Sequence, residues 1–481
     1  MRPYLRFIFN DSSNRRYLFI AVAAILLQFI VFKWLYPFGD YFTDSYSYIS
    51  AAANHDKVSF RPIGYSWFLR GVHAVTASET ALIYIQYLLL QLGALHLFFS
   101  TLYFYRPGKT TCFLLFVVLQ CNPVMLYLAN FISSDALFTV LSLFWWLQWL
   151  WTLRRPRLYQ LPILGLLLYG LLQTRLTALY YPLTGVMALL LLHRKGWYKA
   201  GGIALLGAVT MFCIVSVQRT TQAVTGTKVF SAFSGWQWAN NALHVYCHVS
   251  PDTNGLPSAC GGIDSFVGRY FDTARTRRIR AGVTTDYMWD EDKPLKQYMD
   301  YYRHRNNLSY FDAWNAVAPV YSTYAFYLIK KHPAAYTQYF LLPNAKIYLL
   351  PSLEVMYSYN QGVDSIGEPA RRWFGYPQTR VHCVSRRLQR VVLWPVPPVF
   401  LLLHLFFAAG LCWFLWSGAH RRADAFFSRM LFLSVLFAAI NAAFIIAATP
   451  SSVRYEAFPL LLLACSTLLL YDKLLGKRTI P

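Results

Sequence analysis

Charged residues at the ends of apolar segments are the part of this sequence best suited to chemistry. Three arginines, Arg61, Arg175 and Arg454, stand alone beside apolar runs, and their forked donors suit a phosphate group. A carboxylate near lipid is costly and is retained mainly where it works or is paired. Such carboxylates recur at the same ends as the arginines: Asp40, Asp44, Asp56, Glu79, Asp135 and Glu456. The combination predicts acid–base chemistry on an anionic ligand at a membrane surface.

Each of these groups also has a purely structural interpretation. Asp135 opens an apolar run directly after Ser133 and Ser134, so it is as well suited to capping a helix as to a reaction. The isolated arginines could instead reach lipid headgroups along their aliphatic stems. Both interpretations stay open at the level of the sequence.

The elements that position these residues are apolar segments of membrane-spanning length. The chain has 481 residues, of which 56% are hydrophobic and 14% charged, against roughly 25% charged in a soluble domain. Only helices satisfy their own backbone groups in lipid over a run of about 20 residues. The sequence therefore predicts an all-α polytopic membrane protein. About ten spans are expected, at 17–37, 79–104, 110–129, 134–152, 158–173, 176–193, 199–218, 391–416, 428–448 and 456–472.

Two features of this set concern its geometry. The fifth and sixth spans are separated only by Gln173–Arg175, which predicts either a tight hairpin or one broken helix. Lys and Arg gather at the N-terminus and in alternate links, such as Arg154–Arg157 and Arg421–Arg422. By the positive-inside rule these links and both termini are cytoplasmic. The candidate carboxylates and lone arginines then share the extracytoplasmic side.

The same charge placement bears on partners and location. The net charge of +23 is accounted for by orientation, and no nucleic-acid-binding motif accompanies it. The first apolar run ends without a small-residue cleavage site, so it is expected to be retained. We expect the bacterial inner membrane rather than the endoplasmic reticulum, because the sequence carries no retention signal.

Two larger pieces fall on the outer side. They are the loop 38–78 and an insert, 219–390, which is rich in Gly, Pro, Asn and aromatic residues and is expected to have mixed structure. The chain thus divides into a membrane module 1–218, the insert, and C-terminal spans in 391–481. Inside the insert, the apolar stretch 315–342 is interrupted around His332 and Pro333, which predicts two amphipathic helices on the membrane surface.

The eight cysteines make no metal or redox motif, since none forms a CxxC pair. Cys247 and Cys260 both lie in the outer insert. In an oxidising compartment they could pair, and two unpaired thiols are the alternative. No ligand cluster demands a metal, and no cofactor is expected to be required.

Several short motifs, taken in order, resemble the GT-C class of membrane glycosyltransferases, which includes the protein O-mannosyltransferases and the lipid A aminoarabinose transferase. In the first outer loop they are an acid, a Tyr in a short helix and an Arg-Pro-x-Gly-Tyr turn. Later segments are NFISSDALFTVL, QTRLTALYYP, YLIKKHPAAYTQYF and VRYEAFPLLLL. The matching residues are Asp44, Tyr48, Arg61, Pro62, Gly64, Tyr65, Asp135, Arg175, His332, Pro333, Arg454 and Tyr455. The resemblance covers most of 17–220 and parts of 315–472, whereas 225–310 shows no such motif.

The resemblance implies transfer of a sugar from a polyprenyl-phosphate donor to a glycan, lipid or protein acceptor outside the cytoplasm. Asp44 would be the base that deprotonates or orients the acceptor hydroxyl, and Asp135 would assist it. The donor phosphate would be bound by Arg61, Arg175, Arg454 and Tyr455. Tyr48 and His332 would support the site.

Alternatives remain at this stage. Asp40 precedes Asp44 by four residues and is a second candidate for the base. A polymerase or ligase acting on lipid-linked glycans would also combine many spans, a large outer loop and outer arginines. A lipid or glycan transporter is a further alternative, although the sequence has no internal repeat and its charges lie at span ends rather than at mid-span.

Overall fold

The chain is helical throughout the residues that the computed structural model describes, which are 2–246, 248–249, 254–274 and 283–476. Within these ranges there is no strand, and only isolated bridges join extended residues. The all-α class is therefore confirmed. The described part of the insert, for which mixed structure is expected, also consists of helices and irregular links.

Helices of the membrane module and its first outer loop follow one another with short links. They are α1 (Arg2–Asn10), α2 (Ser12–Leu35), α3 (Thr43–Ala53), α4 (Gly64–His73), α5 (Glu79–Tyr105), α6 (Lys109–Gln120), α7 (Pro123–Asn130), α8 (Ser134–Arg154), α9 (Gln160–Thr174), α10 (Tyr181–Leu190) and α11 (Gly196–Thr225). Side-chain caps fix several starts: the Ser78 hydroxyl accepts from the backbone of α5, as the Asp11 carboxylate does for α2.

The insert and the C-terminal spans supply the remaining helices. They are α12 (Ala232–Tyr246), α13 (Gly261–Ala274), α14 (Asp286–Trp289), α15 (Pro294–Arg305), α16 (Tyr310–Lys331), α17 (Pro333–Tyr336), α18 (Leu342–Leu349), α19 (Glu368–Phe374), α20 (Arg386–Leu393), α21 (Val396–Trp416), α22 (Ala425–Ala448) and α23 (Ala457–Leu475). A short π-helical turn, Thr337–Leu341, joins α17 to α18.

Eight helices among the described residues are long and apolar enough to cross a membrane, which confirms the multi-pass character. Two of them are composite: α6 continues into α7, and α20 continues into α21. Most bounds lie within a few residues of the predicted spans. The exceptions flank the insert, because α11 runs through Thr225 and α20 begins at Arg386.

The fifth and sixth predicted spans form a hairpin of two short helices, α9 and α10. Leu161, near the start of α9, and Leu189, near the end of α10, both lie against Gly202 of α11. The two helices therefore run antiparallel, and the alternative of one broken helix is excluded. Arg175 precedes the 3-10 turn Leu176–Tyr180 at the tip of the hairpin.

The helix bundle has two chemically different ends. The helix α8 carries Asp135 in its first turn and Arg154 in its last, so its length separates these two charges. Arg154 stacks on Phe426 at the start of α22, with 5.3 Å to the ring centroid. The basic links thus gather at one end, and the lone arginines and carboxylates of the sequence lie at the other.

The first outer loop packs against the last part of the insert. Tyr48 and Tyr65, from α3 and α4, share a buried apolar cluster with Ile366 and Ala370 beside α19. The backbone of Asp40 pairs with the chain just before α8, donating to the Asn130 carbonyl at 2.9 Å. The loop is therefore fixed between the membrane module and the insert.

The helices α12 to α16 form a core of their own. Its centre is Trp236, which stacks on Trp314 with 3.9 Å between ring centroids. Phe60 of the first outer loop lies edge-on to Trp314 at 5.6 Å, which joins this core to the loop. Cys260 is buried here, whereas Cys247 lies outside the described residues.

The predicted break at His332 and Pro333 is confirmed, since α16 ends at Lys331 and α17 begins at Pro333. Both halves of this stretch pack against protein. Tyr321 of α16 is buried in the core that Trp236 centres, and Asn344 of α18 donates to the Ile446 carbonyl of α22 at 2.7 Å. Contacts with protein therefore account for part of the apolar surface of this stretch, whereas Phe326 and Leu342 are exposed, and its placement on the membrane surface stays a prediction.

Candidate functional site

Charged residues from separate parts of the chain meet at the end of the bundle that faces away from the basic links. Asp44 lies in the first turn of α3, and Arg61 lies between α3 and α4. Asp135 begins α8, Arg175 lies at the hairpin tip, and Arg454 lies between α22 and α23. Ion pairs join all five into one group, here called the outer cluster.

Close backbone packing brings two of these segments together. A Cβ atom at Gly64 would lie 2.6 Å from the carbonyl oxygen of Gln173, which is nearer than a side chain tolerates. Glycine at this position therefore allows the backbone beside Arg61 to approach the backbone beside Arg175. The Ser66 hydroxyl then ties α4 to α3 by donating to the Tyr48 carbonyl at 2.9 Å.

Asp44 is held by two arginines. Arg61 Nη2 lies 2.5 Å from Asp44 Oδ1, and Arg454 Nη1 lies 3.9 Å from Oδ2. Burial alone would raise the pKa of Asp44, but the Arg61 and Arg454 guanidiniums outweigh it and hold that pKa below its ordinary value. The carboxylate is therefore ionised at neutral pH.

Asp135 is held in the same way at the start of α8. Arg175 Nη1 donates to Asp135 Oδ1, and Arg454 Nη1 lies 3.6 Å from Oδ2. The Ser133 hydroxyl also donates to Oδ2, at 2.7 Å. Ser133 occupies the cap position of α8 without a side-chain capping bond. The Asp135 carboxylate therefore belongs to the ion-pair network, and helix capping alone does not account for it.

Arg454 bridges the two aspartates and has a third carboxylate partner in the insert. Its Nε lies 3.0 Å from Glu354 Oε2, and its Nη2 donates to the Tyr455 hydroxyl at 2.8 Å. Burial alone would lower the pKa of Arg454, but Glu354, Tyr455 and Asp44 outweigh it and raise that pKa. The guanidinium therefore stays charged although it is almost fully buried.

Aromatic rings cover the guanidiniums of the outer cluster. The Tyr455 ring centroid lies 4.8 Å from the guanidinium carbons of both Arg175 and Arg454. Phe233, on α12 of the insert, lies 4.7 Å from that of Arg61. Cation–π contacts are stronger where water is excluded, so these rings help to hold the guanidiniums in place.

A cavity of about 300 Å³ opens beside the outer cluster. Its charged wall consists of Asp44, Arg61, Asp135 and Arg175. A second, mainly apolar wall comes from the end of α22 and the hairpin tip, with Phe444, Ile445, Ala448, Leu176 and Leu179. The insert supplies a third wall from α12, with Phe233, Ser234, Gln237 and Trp238. Arg454 is not among the lining residues, but it contacts the two aspartates that line the cavity.

The remaining predicted residues are placed differently from one another. Tyr48 lines the cavity, and its hydroxyl donates to the Ser134 hydroxyl at 2.9 Å. Tyr455 also lines it. His332 ends α16 and has no described contact with the outer cluster. Asp40 is buried away from the cavity, so of the two candidates for the base only Asp44 contacts the arginines.

Residues that the sequence did not single out complete the site. Glu354 is one of many acids in the insert, and no local spacing marks it as the partner of Arg454. Trp289 lies 5.4 Å from the Arg61 guanidinium but belongs to a stretch without a recognisable motif. The position of Ser134 in the sequence indicates only a possible role in capping a helix. These contributions depend on long-range packing, which leaves no short signal in the chain.

Two further findings bear on what the site is. No group of three or more His, Cys, Asp or Glu residues in the described ranges is arranged to hold a metal ion. No family model, curated protein or solved structure matches the chain. The likeness to GT-C enzymes therefore rests on the motifs quoted above and stays a prediction.

Proposed function

We propose that this protein is a membrane glycosyltransferase that moves a sugar from a polyprenyl-phosphate donor to an acceptor hydroxyl on the extracytoplasmic side. One observation carries the proposal. A single wall of the cavity holds Asp44, Asp135, Arg61 and Arg175, and a second wall is mainly apolar. A lipid phosphate needs such a pairing of cationic and apolar surfaces, because its headgroup and its chain leave water together.

The cavity-lining arginines are assigned to the donor phosphate. Arg61 and Arg175 present planar, forked donors that match phosphate oxygens. Ion pairs and the rings of Phe233 and Tyr455 hold them at the cavity wall, and a phosphate reaches them by replacing a carboxylate partner. The apolar wall at the end of α22 receives the first part of the prenyl chain.

Asp44 is assigned as the base. The acceptor oxygen attacks the anomeric carbon of the donor, and the bond between that carbon and the phosphate oxygen breaks. The hydroxyl proton passes to the Asp44 carboxylate, and the polyprenyl phosphate leaves with the electron pair. Attack from the side away from the leaving group inverts the anomeric centre. Asp135 orients the acceptor or holds Arg175 in place.

The ion pair of Asp44 with Arg61 is consistent with this assignment. In the free protein Arg61 lowers the pKa of Asp44, which makes the carboxylate a weak base. A bound phosphate competes for the same guanidinium. As Arg61 turns towards the phosphate, the pKa of Asp44 rises towards the range in which a carboxylate accepts a proton effectively.

The decisive experiment follows lipid-linked sugars and surface glycans by mass spectrometry in cells with and without this protein. We expect a polyprenyl-phosphate sugar to accumulate when the protein is absent, and one glycan, lipid or protein to lose that sugar. Accumulation should persist when Arg175→Gln replaces the wild type, with a rate of transfer reduced about 10²- to 10³-fold. An unchanged profile in cells that contain intact wild-type protein would count against the proposal.

A matched control and a competing activity sharpen this test. Glu368→Gln changes a carboxylate of α19 that pairs with Arg371 at the surface, so it should leave transfer unchanged. Movement of the lipid across vesicle membranes without any transferred sugar would favour the transporter alternative instead.

A further inference from the structure

Together with Glu354, the outer cluster is formally neutral, and the Glu354 carboxylate differs from the two aspartate carboxylates. Arg61, Arg175 and Arg454 face three carboxylates, which belong to Asp44, Asp135 and Glu354. The side chains of the two aspartates are 17% and 3% exposed, whereas that of Glu354 is 41% exposed. Glu354 is also absent from the cavity wall. It is therefore the carboxylate that can leave the cluster for water at the lowest cost.

The backbone shows that Glu354 is aimed at Arg454. Its φ of +48° lies in the left-handed region, which a residue with a Cβ atom adopts only when its surroundings impose it. The flanking chain is anchored, because the Ser352 carbonyl accepts from the Val453 backbone at 2.9 Å and Met356 is fully buried. The strained turn brings both carboxylate oxygens of Glu354 within 3.5 Å of the Arg454 guanidinium.

An anion that binds to a cluster without net charge leaves one negative charge unbalanced unless a carboxylate leaves the cluster. A phosphate that takes Arg61 or Arg175 leaves Asp44 or Asp135 in need of a cation, and Arg454 already lies 3.9 Å and 3.6 Å from these two carboxylates. Arg454 can serve them fully only if Glu354 releases it. Once Glu354 has turned to water, the cluster has a formal charge of +1.

Resting on the proposed function, we infer that Glu354 is a displaceable counter-ion that matches the site to a singly charged phosphodiester. A sugar linked to a prenyl chain through one phosphate is such a diester, and it replaces the one charge that Glu354 removes. A diphosphate-linked donor carries more charge than the cluster can balance. The product is a prenyl phosphate monoester, and it also carries more negative charge than the cluster can balance. This excess favours its release after transfer.

Binding measurements on the purified full chain in detergent test this inference. The probes are a farnesyl phosphate methyl ester, which is a diester, and farnesyl diphosphate. Wild type should bind the diester about tenfold more tightly than the diphosphate. Glu354→Gln, which leaves the cluster at +1 without ligand, should bind the diester about tenfold more tightly than wild type does and keep the preference for the diester over the diphosphate. Glu354→Asp should return the affinity for the diester to the wild-type value.

The outcomes separate the inference from the function on which it rests. Glu368→Gln removes a surface carboxylate that pairs with Arg371 and Arg372, and it should bind both probes as wild type does. If wild type binds the diester but Glu354→Gln binds it equally or less tightly, Glu354 only holds Arg454 in place and the inference is wrong. If wild type binds neither probe, the proposed function fails as well. A wild-type preference for the diphosphate contradicts the inference without any variant.

Discussion

Two pairs of buried carboxylates lie at the same end of this helix bundle and have different surroundings. Asp44 and Asp135 are paired with arginines and face the cavity. Asp40 instead accepts from the Asn360 backbone at 2.9 Å and from the Gln389 side chain at 3.4 Å. Glu79 accepts from the Tyr41 hydroxyl. Neither Asp40 nor Glu79 lines the cavity.

The role of each carboxylate therefore depends on the groups that contact it rather than on its position along the chain. Asp40 and Asp44 are four residues apart in the same loop. Burial raises the pKa of Asp40 well above its ordinary value, although the Asn360 and Gln389 donors oppose this. Arginines lower the pKa of Asp44 despite its burial. One acid therefore joins the loop to the insert, and the other keeps a charge available for a ligand.

The largest contrast is expected from Asp44→Asn. This substitution keeps the shape of the side chain but removes the proton acceptor, so transfer should fall about 10²- to 10⁴-fold. The unfolding temperature should fall as well, because the Asn side chain keeps an acceptor oxygen for Arg61 but no longer supplies the charge that pairs with Arg61 and Arg454. The check is the transfer rate from a polyprenyl-phosphate sugar, measured beside the unfolding temperature of the same sample. Activity within tenfold of wild type would remove Asp44 as the base.

A shift in the pH profile should follow from Arg61→Gln. In wild type the pKa of Asp44 is lowered, so kcat/KM should not fall on acidification until below about pH 4. Without the Arg61 guanidinium the pKa of Asp44 should rise. The acid limb of kcat/KM then moves upward into the readily measured range. Arg371→Gln, a surface control on α19, should leave the limb where it is, and a limb unmoved by Arg61→Gln would contradict the pairing.

The spans and several residues of the candidate site could be predicted from the sequence, because the signals for them are local. Apolar length and the alternation of basic links predicted the spans, and the lone arginines stood out against that alternation. The motifs Arg-Pro-x-Gly-Tyr and Arg-Tyr placed Arg61 and Arg454 in the site. The choice between Asp40 and Asp44 was not accessible, since it depends on Asn360 and Gln389, which lie more than three hundred residues away.

The insert marks the limit of sequence reasoning more clearly. Its apolar stretch over 315–342 predicts membrane-surface helices, but burial against protein and burial against lipid select the same residue types. Packing of α16 on α12 accounts for part of that stretch, whereas Phe326 and Leu342 are exposed, so its placement on the membrane surface stays a prediction. Glu354 was likewise unpredictable, because a left-handed residue and a distant arginine together give it its role.

A loss of stability rather than of chemistry is expected from Asp40→Ala. The substitution leaves the buried Asn360 N–H without its acceptor and removes one of the two acceptors of the Gln389 amide, which should cost about 1–3 kcal/mol of unfolding free energy. Because the pKa of Asp40 is raised in the fold, the folded state holds a proton that the unfolded chain releases above about pH 4. The stability that Asp40 contributes is thus greatest below that pH and declines as pH rises.

Thermal unfolding of wild type and Asp40→Ala at several pH values checks this expectation. The gap between the two should narrow as pH rises, while the transfer rate of the folded variant stays within a few-fold of wild type. A variant that is stable but inactive would instead place Asp40 in the reaction and reverse the contrast with Asp44.

The smallest effect should come from Tyr48→Phe. The Tyr48 hydroxyl donates to Ser134 beside Asp135, and both residues line the cavity, so losing this bond loosens the start of α8 where the site needs it fixed. One neutral hydrogen bond is worth about 0.5–1.5 kcal/mol, which predicts a transfer rate reduced about two- to tenfold. Tyr46→Phe is the matched control, because Tyr46 also lies on α3 but accepts from the Gly367 backbone, away from the cavity. If Tyr46→Phe slowed transfer as much as Tyr48→Phe, the loop as a whole, and not its cavity-facing side, would set the rate.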